Sequence, residues 1–394
     1  MGQEGAVNGH VNPQRAETGR ARAESDVARY HRQIILPELG LAGQRALSAS
    51  GVLVVGAGAL GSAAALYLAA AGVGTIGIAD GDRVDLSNLH RQVLHGTRDI
   101  GRLKTASAKD RLAALNPEVR VVEHVGYLNS GNVLDVMAEY DVVVDGSDSF
   151  AARYLVNDAA VLLAKPLVTA AILRFEGQVM VFRPGEGCYR CVFPKPPPAG
   201  TVPNCAEAGV LGAVAGVLGS TQAVEALKLM GRMGEPAVGR VGLYDAWTGR
   251  WQQVQVGRNP ACAVCGDHPT ITGPIDYEAW CGVPAPAGGP GAREVSVAEA
   301  ERLMHQGVPF VDVRPEVEYA RGHIAGAVLV GPEPSSAHLP GTADAAVVCV
   351  CLQGVRSAAV ATRLESQGRS AVSLAGGLLA WVRAGLPWDG RVTS

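Results

Sequence analysis

Lysine is nearly absent from this chain: only residues 104, 109, 165, 195 and 228 among 34 lysines and arginines in 394 residues. Positive charge is therefore carried mostly by arginine, and each lysine is an informative position. A strong charge surplus is missing too. The formal net charge of −3 gives no general argument for a nucleic-acid or membrane-surface partner, and neither is expected. No apolar run is pure enough to read as a membrane span. The least polar stretch, Val210–Leu227, is rich in Gly and Ala and contains Gln222 and Glu225, so it reads as a buried helix. An export signal is also lacking. The first 25 residues are polar and carry Glu4, Glu17 and Glu24 among their arginines, which suits neither a signal peptide nor an acid-poor transit peptide. The expected setting is cytoplasmic, where structural disulfides lose their support.

What is present is led by cysteine. Four of the eight cysteines form two Cys-x-x-Cys pairs, Cys188/Cys191 and Cys262/Cys265, each with the bite of a metal chelate. Four thiolates supplied two by two suit a tetrahedral zinc ion with no open position for substrate. Such a site staples distant segments and does no chemistry. Cys205, Cys281, Cys349 and Cys351 are left free to react.

A length of 394 residues is comfortable for two domains, and an apolar fraction of 48% allows full cores. Residues 1–26 read as a disordered tail without apolar period. From 27 to 270, β-prone runs (Val52–Val55, Thr75–Ala79, Val119–Glu123, Val142–Val144, Leu167–Ala170) alternate with helical stretches such as Ser62–Ala71 and Lys104–Leu115. That alternation predicts a Rossmann-like α/β fold with a mainly parallel sheet. Phe193–Pro203 is a proline-rich loop. Residues 271–292, rich in Pro, Gly and Ala without period, read as a linker. Residues 293–394 then form a small α/β domain, with a capping box at Ser296-x-x-Glu299, strand runs at Phe310–Val313 and Ala346–Val350, and an amphipathic helix over Arg356–Gln367.

Gly56-Ala57-Gly58-Ala59-Leu60-Gly61 follows a strand and opens a helix, as a phosphate-binding loop does. Asp80 ends the next strand, where a carboxylate can accept hydrogen bonds from ribose hydroxyls. Alone this pattern fits an NAD enzyme. Arg91, Lys104 and Asp148 change the balance. Two cations and an extra carboxylate at strand ends suit a triphosphate with Mg²⁺, the carboxylate holding the metal. The bland alternative makes Arg91 and Lys104 solvated charges and Asp148 a turn residue. His31, His90 and His95 have no evident paired base and read as structural.

The chain resembles a known family here, the ubiquitin-activating-type adenylyltransferases of sulfur-carrier proteins (ThiF and MoeB). The resemblance runs from Tyr30-His31-Arg32-Gln33 through Leu86-Ser87-Asn88-Leu89-His90-Arg91-Gln92, Asn116-Pro117, Arg174-Phe175-Glu176-Gly177-Gln178 and Tyr244-Asp245-Ala246 to the second zinc pair. It implies ATP contacts at Gly58, Asp80, Ser87, Asn88, Leu89, Arg91, Lys104, Asp148 and Ser149. It also implies a homodimer in which Arg32 is lent to the neighbouring site. Ala59 stands where glycine is common, and Ser149 where Asn usually follows the aspartate.

Cys351-Leu352-Gln353-Gly354-Val355-Arg356-Ser357 lies between a buried strand and a helix, where a ring of backbone N–H groups favours thiolate. The six residues from Cys351 to Arg356 make a shorter ring than the Cys-x5-Arg loop of tyrosine phosphatases and suit a smaller anion, such as a persulfide sulfur. Asp312-Val313-Arg314, Glu318-Tyr319, Gly322-His323-Ile324 and Gly376-Gly377-x-x-Ala380-Trp381 resemble the rhodanese family, which implies that Cys351 carries a persulfide, in a loop closed by Arg356. Leu352 replaces a frequent basic residue, leaving the donor, a cysteine desulfurase or thiosulfate, open. Cys349 reads as core, and Asp312, Arg314 and His323 as internal hydrogen-bonding groups. Cys205, in Pro203-Asn204-Cys205, matches a position that eukaryotic fusion proteins of the family assign to a covalent or resolving role.

Taken together, these resemblances imply ATP-dependent adenylylation of a Gly-Gly-ending ubiquitin-like carrier, then sulfur transfer to give a thiocarboxylate. The alternatives are a thioester on Cys205 for protein conjugation, an NAD-dependent oxidoreductase, and a non-catalytic interaction protein.

Overall fold

The computed structural model describes residues 28–197, 209–281, 293–334, 339–341, 345–352 and 354–389. These fall into two compact units, one on each side of residues 282–292.

In the first unit the strands are β1 (Gly51–Val55), β2 (Thr75–Asp80), β3 (Arg120–Val125), β4 (Val142–Asp145), β5 (Leu167–Leu173), β6 (Glu176–Phe182), β7 (Arg240–Asp245) and β8 (Arg250–Gln255). They form one sheet in the order β3-β2-β1-β4-β5-β6-β7-β8. From β3 through β5 neighbours run parallel, and β6 to β8 follow antiparallel. The helices are α1 (28–34), α2 (Gly40–Ala49), α3 (Ala59–Ala70), α4 (Lys104–Leu115), α5 (Val133–Ala138), α6 (Phe150–Leu162), α7 (Tyr189–Val192), α8 (Gly212–Gly231) and α9 (Tyr277–Trp280).

Period two explains the layering, because successive strand side chains point to opposite faces. Val52 and Val54 join Leu68 of α3 and Leu218 of α8 in one core, while Leu53 and Val55 join Met137 of α5 and Tyr154 of α6 in the other. Both sheet faces are covered, so β1 and β4 are almost wholly apolar. Glycine lets α3 and α8 meet closely: a Cβ on Gly219 would lie 2.3 Å from the Leu60 carbonyl oxygen.

The five strands expected from the β-prone runs are all present, and the polar-punctuated run at 210–227 is a buried helix extending to Gly231. The antiparallel strands had no periodic signal, since β8 is exposed at every residue and β7 is interrupted by Gly242. The expected linker needs correction. Residues 277–280 form α9, and Tyr277, Trp280 and Cys281 pack into the α5–α6 core. Their aromatic side chains outweigh the surrounding Pro and Gly.

The second unit carries β9 (Glu294–Val295), β10 (Phe310–Asp312), β11 (His323–Ile324), β12 (Val328–Leu329), β13 (Val347–Val350), β14 (Ala371–Leu374) and β15 (Trp388–Asp389). A parallel sheet runs β12-β10-β13-β14-β9, beside an antiparallel β11–β15 pair. Its helices are α10 (Val297–His305), α11 (Glu316–Tyr319), α12 (Val355–Ser366) and α13 (Gly377–Arg383). Ser296 caps α10 by accepting from the Glu299 N–H, one half of the expected capping box. No helix among the described residues is long and apolar enough to cross a membrane.

Candidate active sites and metal centre

Parallel strands end together, so the loops after β1, β2 and β4 share one sheet edge. Val55 stands in register with both Ala79 and Asp145. Gly56 has φ +88°, a conformation that favours glycine, and a Cβ on Gly61 would lie 1.8 Å from the Gly56 carbonyl oxygen. Gly58 differs: a Cβ there would meet only Gln92 Nε2, at 3.9 Å. Packing does not require that glycine, so its bare backbone faces open space at the N-terminus of α3, where an anion is favoured.

Asp80 is buried and organises this loop. Its Oδ2 accepts from Ala57 N at 2.8 Å and its Oδ1 from Asp82 N at 2.7 Å, leaving one lone pair on each oxygen for a sugar. His95 braces the loop from below, donating from Nε2 to the Ala57 carbonyl at 3.0 Å and accepting at Nδ1 from Ser107 Oγ at 2.9 Å. Burial holds its imidazole below the ordinary range, in keeping with the structural role expected of it.

Lys104 is 5% exposed, not a solvated charge, and its Nζ donates to Asp82 Oδ2 at 2.8 Å. The Tyr127 hydroxyl donates to the other Asp82 oxygen. Burial alone would raise Asp82, yet the bonds from Lys104 and Tyr127 win and hold it below the usual carboxylate range. Arg91 Nη1 donates to the Ser87 carbonyl at 2.8 Å, and Asp85 accepts from Ser87 N at 2.9 Å. The Asn88 side chain accepts from Asp85 N, so residues 85–88 close a capping box with Leu89 just beyond it. Asp148 is exposed at the β4 end. Ser149 Oγ accepts from Ala152 N at 3.1 Å and caps α6, which leaves its own proton to donate. Arg32 lies elsewhere. Its helix is tied by Gln33 to the Ala71 carbonyl, beyond the far end of α3, a helix about 18 Å long.

Cys188, Cys191, Cys262 and Cys265 converge as the spacing predicted, with all four sulfurs within 4.8 Å of one another. Measured edges are 3.6 Å for Cys188–Cys262, 3.3 Å for Cys191–Cys265 and 3.4 Å for Cys265–Cys188. A tetrahedron of thiolates about 2.3 Å from a central ion has edges of about 3.8 Å, so the set can hold a metal. Asn259 N donates to Cys191 Sγ at 3.3 Å. The hydrogen bond from Cys188, with that N–H, draws Cys191 down to about 4, while the same pairing and burial push Cys188 up. A bound metal would draw the protons from the remaining thiols and offset the charge of four thiolates.

Sequence reasoning missed the group beside it. Arg190, between the first two cysteines, forms a bidentate pair with Asp158 of α6 at 2.7 Å for both contacts. Tyr277 of α9 donates to the same carboxylate at 2.9 Å, and the guanidinium lies 4.1 Å from the Trp280 ring centre. The available signals were an arginine inside a Cys-x-x-Cys pair and an aspartate in a mostly apolar helix.

In the second unit Cys351 ends β13 and is 2% exposed. Its Sγ accepts from Gly354 N at 3.2 Å and Ser357 N at 3.4 Å, the ring of N–H groups expected at a helix start. Arg356 forms a bidentate pair with Glu318 of α11, at 3.0 and 2.7 Å. Cys349 is wholly buried, and burial raises its thiol to about 12. Asp312 and Arg314 pair internally at 2.7 Å. Cys205 lies outside the described residues. Cys281, left unassigned by the sequence, is buried.

Comparison with known proteins finds the ThiF family over residues 30–264 and a rhodanese-like domain over 296–384. The sulfur carrier protein adenylyltransferase of Thermus thermophilus is 53% identical over 66% of this chain and 98% of its own length. The probable adenylyltransferase/sulfurtransferase MoeZ of Mycobacterium tuberculosis is 43% identical over 94% of this chain and 96% of its own. The adenylyltransferase and sulfurtransferase MOCS3 of Sus scrofa is 48% identical over 76% and 68%. Among solved structures, E. coli MccB with MccA-N7isoASN superposes with a TM-score of 0.53 at 26% identity, covering 57% of this chain and 70% of that one. Both resemblances read from the sequence are met.

Proposed function

Since the chain belongs to the ThiF family and carries a rhodanese-like domain, we propose that it adenylylates the C-terminal glycine of a ubiquitin-like sulfur carrier and completes the reaction with sulfur held on Cys351. The observation that carries the reading is the Cys351 sulfur, held by backbone N–H groups at a helix start, in a chain whose other unit keeps an open glycine loop. Names of relatives at 43–53% identity support both halves.

In the first half-reaction a carboxylate oxygen of the carrier attacks the α-phosphorus of ATP, and the bond to the departing pyrophosphate breaks. No protein nucleophile is needed, only alignment and charge neutralisation. The bare backbone at Gly58 receives phosphate, Asp80 orients the ribose, and Arg91 and Lys104 offset developing charge. Lys104 is poised for this because Asp82 already holds it in place. Mg²⁺, held by Asp148, supplies further neutralisation when bound. In the second half-reaction the terminal sulfur of a Cys351 persulfide attacks the acyl carbon and AMP leaves, giving an acyl disulfide. A thiolate, which we assign to Cys205, then attacks the Cys351 sulfur. The carrier departs as a thiocarboxylate and a Cys205–Cys351 disulfide remains for an external dithiol to reduce. The four-sulfur cluster is read as structural zinc, a role suited to thiols kept reduced in a cytoplasm.

A homodimer completes the reading. The helix that carries Arg32 is tied beyond the far end of α3, and its next residue, Gln33, lines a surface cavity of 230 Å³ with Tyr67, Ala71, Val224 and Leu227. Tyr67 and Val224 are exposed there, an apolar face suited to a second copy.

Cys351→Ala is expected to leave ATP–pyrophosphate exchange intact and to abolish thiocarboxylate formation, read by weighing the carrier after incubation with ATP and a sulfur donor. Loss of both activities in a folded variant contradicts the division of labour. A thioester on Cys205 would instead favour conjugation, and protection by NADH but not ATP–Mg²⁺ would favour the oxidoreductase.

A further inference from the structure

Two buried serines lie beneath the Cys351 sulfur with more acceptors than protons. Ser357 Oγ, on α12, is 3.5 Å from Cys351 Sγ, 2.9 Å from the Gly354 carbonyl oxygen and 2.9 Å from Ser373 Oγ. Ser373, on β14, is 3.3 Å from the same Gly354 oxygen. Both residues are 0% exposed, so water does not compete for either hydroxyl.

Each hydroxyl has one proton to give, so one or the other serine can supply the hydroxyl donor of the Gly354 carbonyl, in two arrangements. In the first, Ser357 donates to the Gly354 carbonyl and Ser373 donates to Ser357 Oγ; among the described residues the sulfur then receives the N–H groups of Gly354 and Ser357. In the second, Ser357 donates to the sulfur and Ser373 takes over the Gly354 carbonyl. Every proton keeps an acceptor in both, the Gly354 carbonyl keeps a hydroxyl donor beside the Ala358 N–H that reaches it at 3.0 Å, and no heavy atom has to move. The first suits a neutral thiol, a poor acceptor. The second suits a sulfur anion, to which hydrogen bonds are about twice as strong.

We propose that Ser357 and Ser373 form a two-position hydroxyl relay that turns a third hydrogen bond onto the Cys351 sulfur whenever that sulfur is anionic. No covalent bond forms or breaks in the relay; two O–H groups rotate. Ser373 is a positioning residue, since it reaches the sulfur only through Ser357. Without it, turning Ser357 onto the anion costs the Gly354 carbonyl its hydroxyl donor and leaves it the Ala358 N–H alone, at 3.0 Å. The relay rests on the reading of Cys351 as the sulfur carrier, but thiolate formation can be followed without sulfur transfer.

The test uses the full chain. Iodoacetamide alkylation of Cys351 is followed against pH by tandem mass spectrometry that separates it from Cys349. Ser373→Ala should move the profile to higher pH by about one unit, slowing alkylation about tenfold on the rising limb. In a Ser357→Ala background the same change should add nothing, because the group it acts through is gone. A Ser373→Ala profile that superposes on the wild type overturns the relay, as do additive effects in the double variant. If Ser373→Ala does not fold, Ser373→Thr and Ser373→Val ask the question with one shape: Thr should keep the wild-type profile and Val lose it, and equal profiles reject the relay. Thiosulfate loading, read as added sulfur mass on Cys351, separates the two readings. A wild-type chain that takes no sulfur refutes the carrier role while the alkylation comparison still decides the relay.

Discussion

His95 joins two links of the chain at the residue scale. It is buried because its ring bridges the glycine loop and α4, and burial favours the neutral form that this bridge uses. The unfolded chain binds a proton on this ring more readily than the folded one. Its contribution to stability is therefore complete above the ordinary imidazole value of 6.5 and is lost as pH falls below it. His124, also lowered by burial, acts in the same direction. Melting temperatures from pH 8 to 5 should fall more steeply for the wild type than for His95→Gln, whose amide can donate and accept at the same two points. Equal slopes would remove His95 from the account. Lys104 was legible in the sequence because lysine is rare and this one begins a helix. Its partner Asp82 was not. That pairing depends on an isolated bridge between Arg83 and Leu103, which brings together positions twenty residues apart.

At the scale of elements, the contrast is between α8 and α9. The glycine- and alanine-rich run of α8 was readable as a buried helix because its composition left no other place for it. The short α9 was hidden in a stretch whose Pro, Gly and Ala content signals a linker. Its anchor is a buried ion pair, Asp158–Arg190, which two aromatic side chains of α9 complete by a hydrogen bond and by stacking. Pairs of this kind are far more sensitive to losing one partner than their net contribution suggests, because the survivor keeps its charge without solvent. Asp158→Ala should cost about 3–5 kcal/mol, whereas Tyr277→Phe should cost about 1 kcal/mol. Denaturant unfolding measures both, and a cost under 1 kcal/mol for Asp158→Ala would show that Arg190 finds water.

At the scale of the whole molecule, sequence carried the parallel half of the first sheet, because strands buried on both faces must be apolar throughout. It carried the two Cys-x-x-Cys pairs, because chelate spacing is a local property. It did not carry β6 to β8, whose pairing is antiparallel and whose outermost strand has no buried face, nor the use of Arg356 and Ser149, which depends on neighbours distant in sequence. The four-cysteine cluster brings residues 188–191 against 262–265 across the intervening helix and hairpin. Cys188→Ser, or removal of metal by a chelator, should lower the stability of the intact chain by several kcal/mol, since metal binding by such sets is coupled to folding. Metal content by mass spectrometry and thermal unfolding check this, and an unchanged melting point with no bound metal would refute it.

The seating of α9 also dictates where the gene can be cut. A fragment ending near residue 265, where the family match and the last metal ligand stop, would strip Tyr277 and Trp280 from Arg190 and open the α5–α6 core to water. An autonomous first half has to run through Cys281.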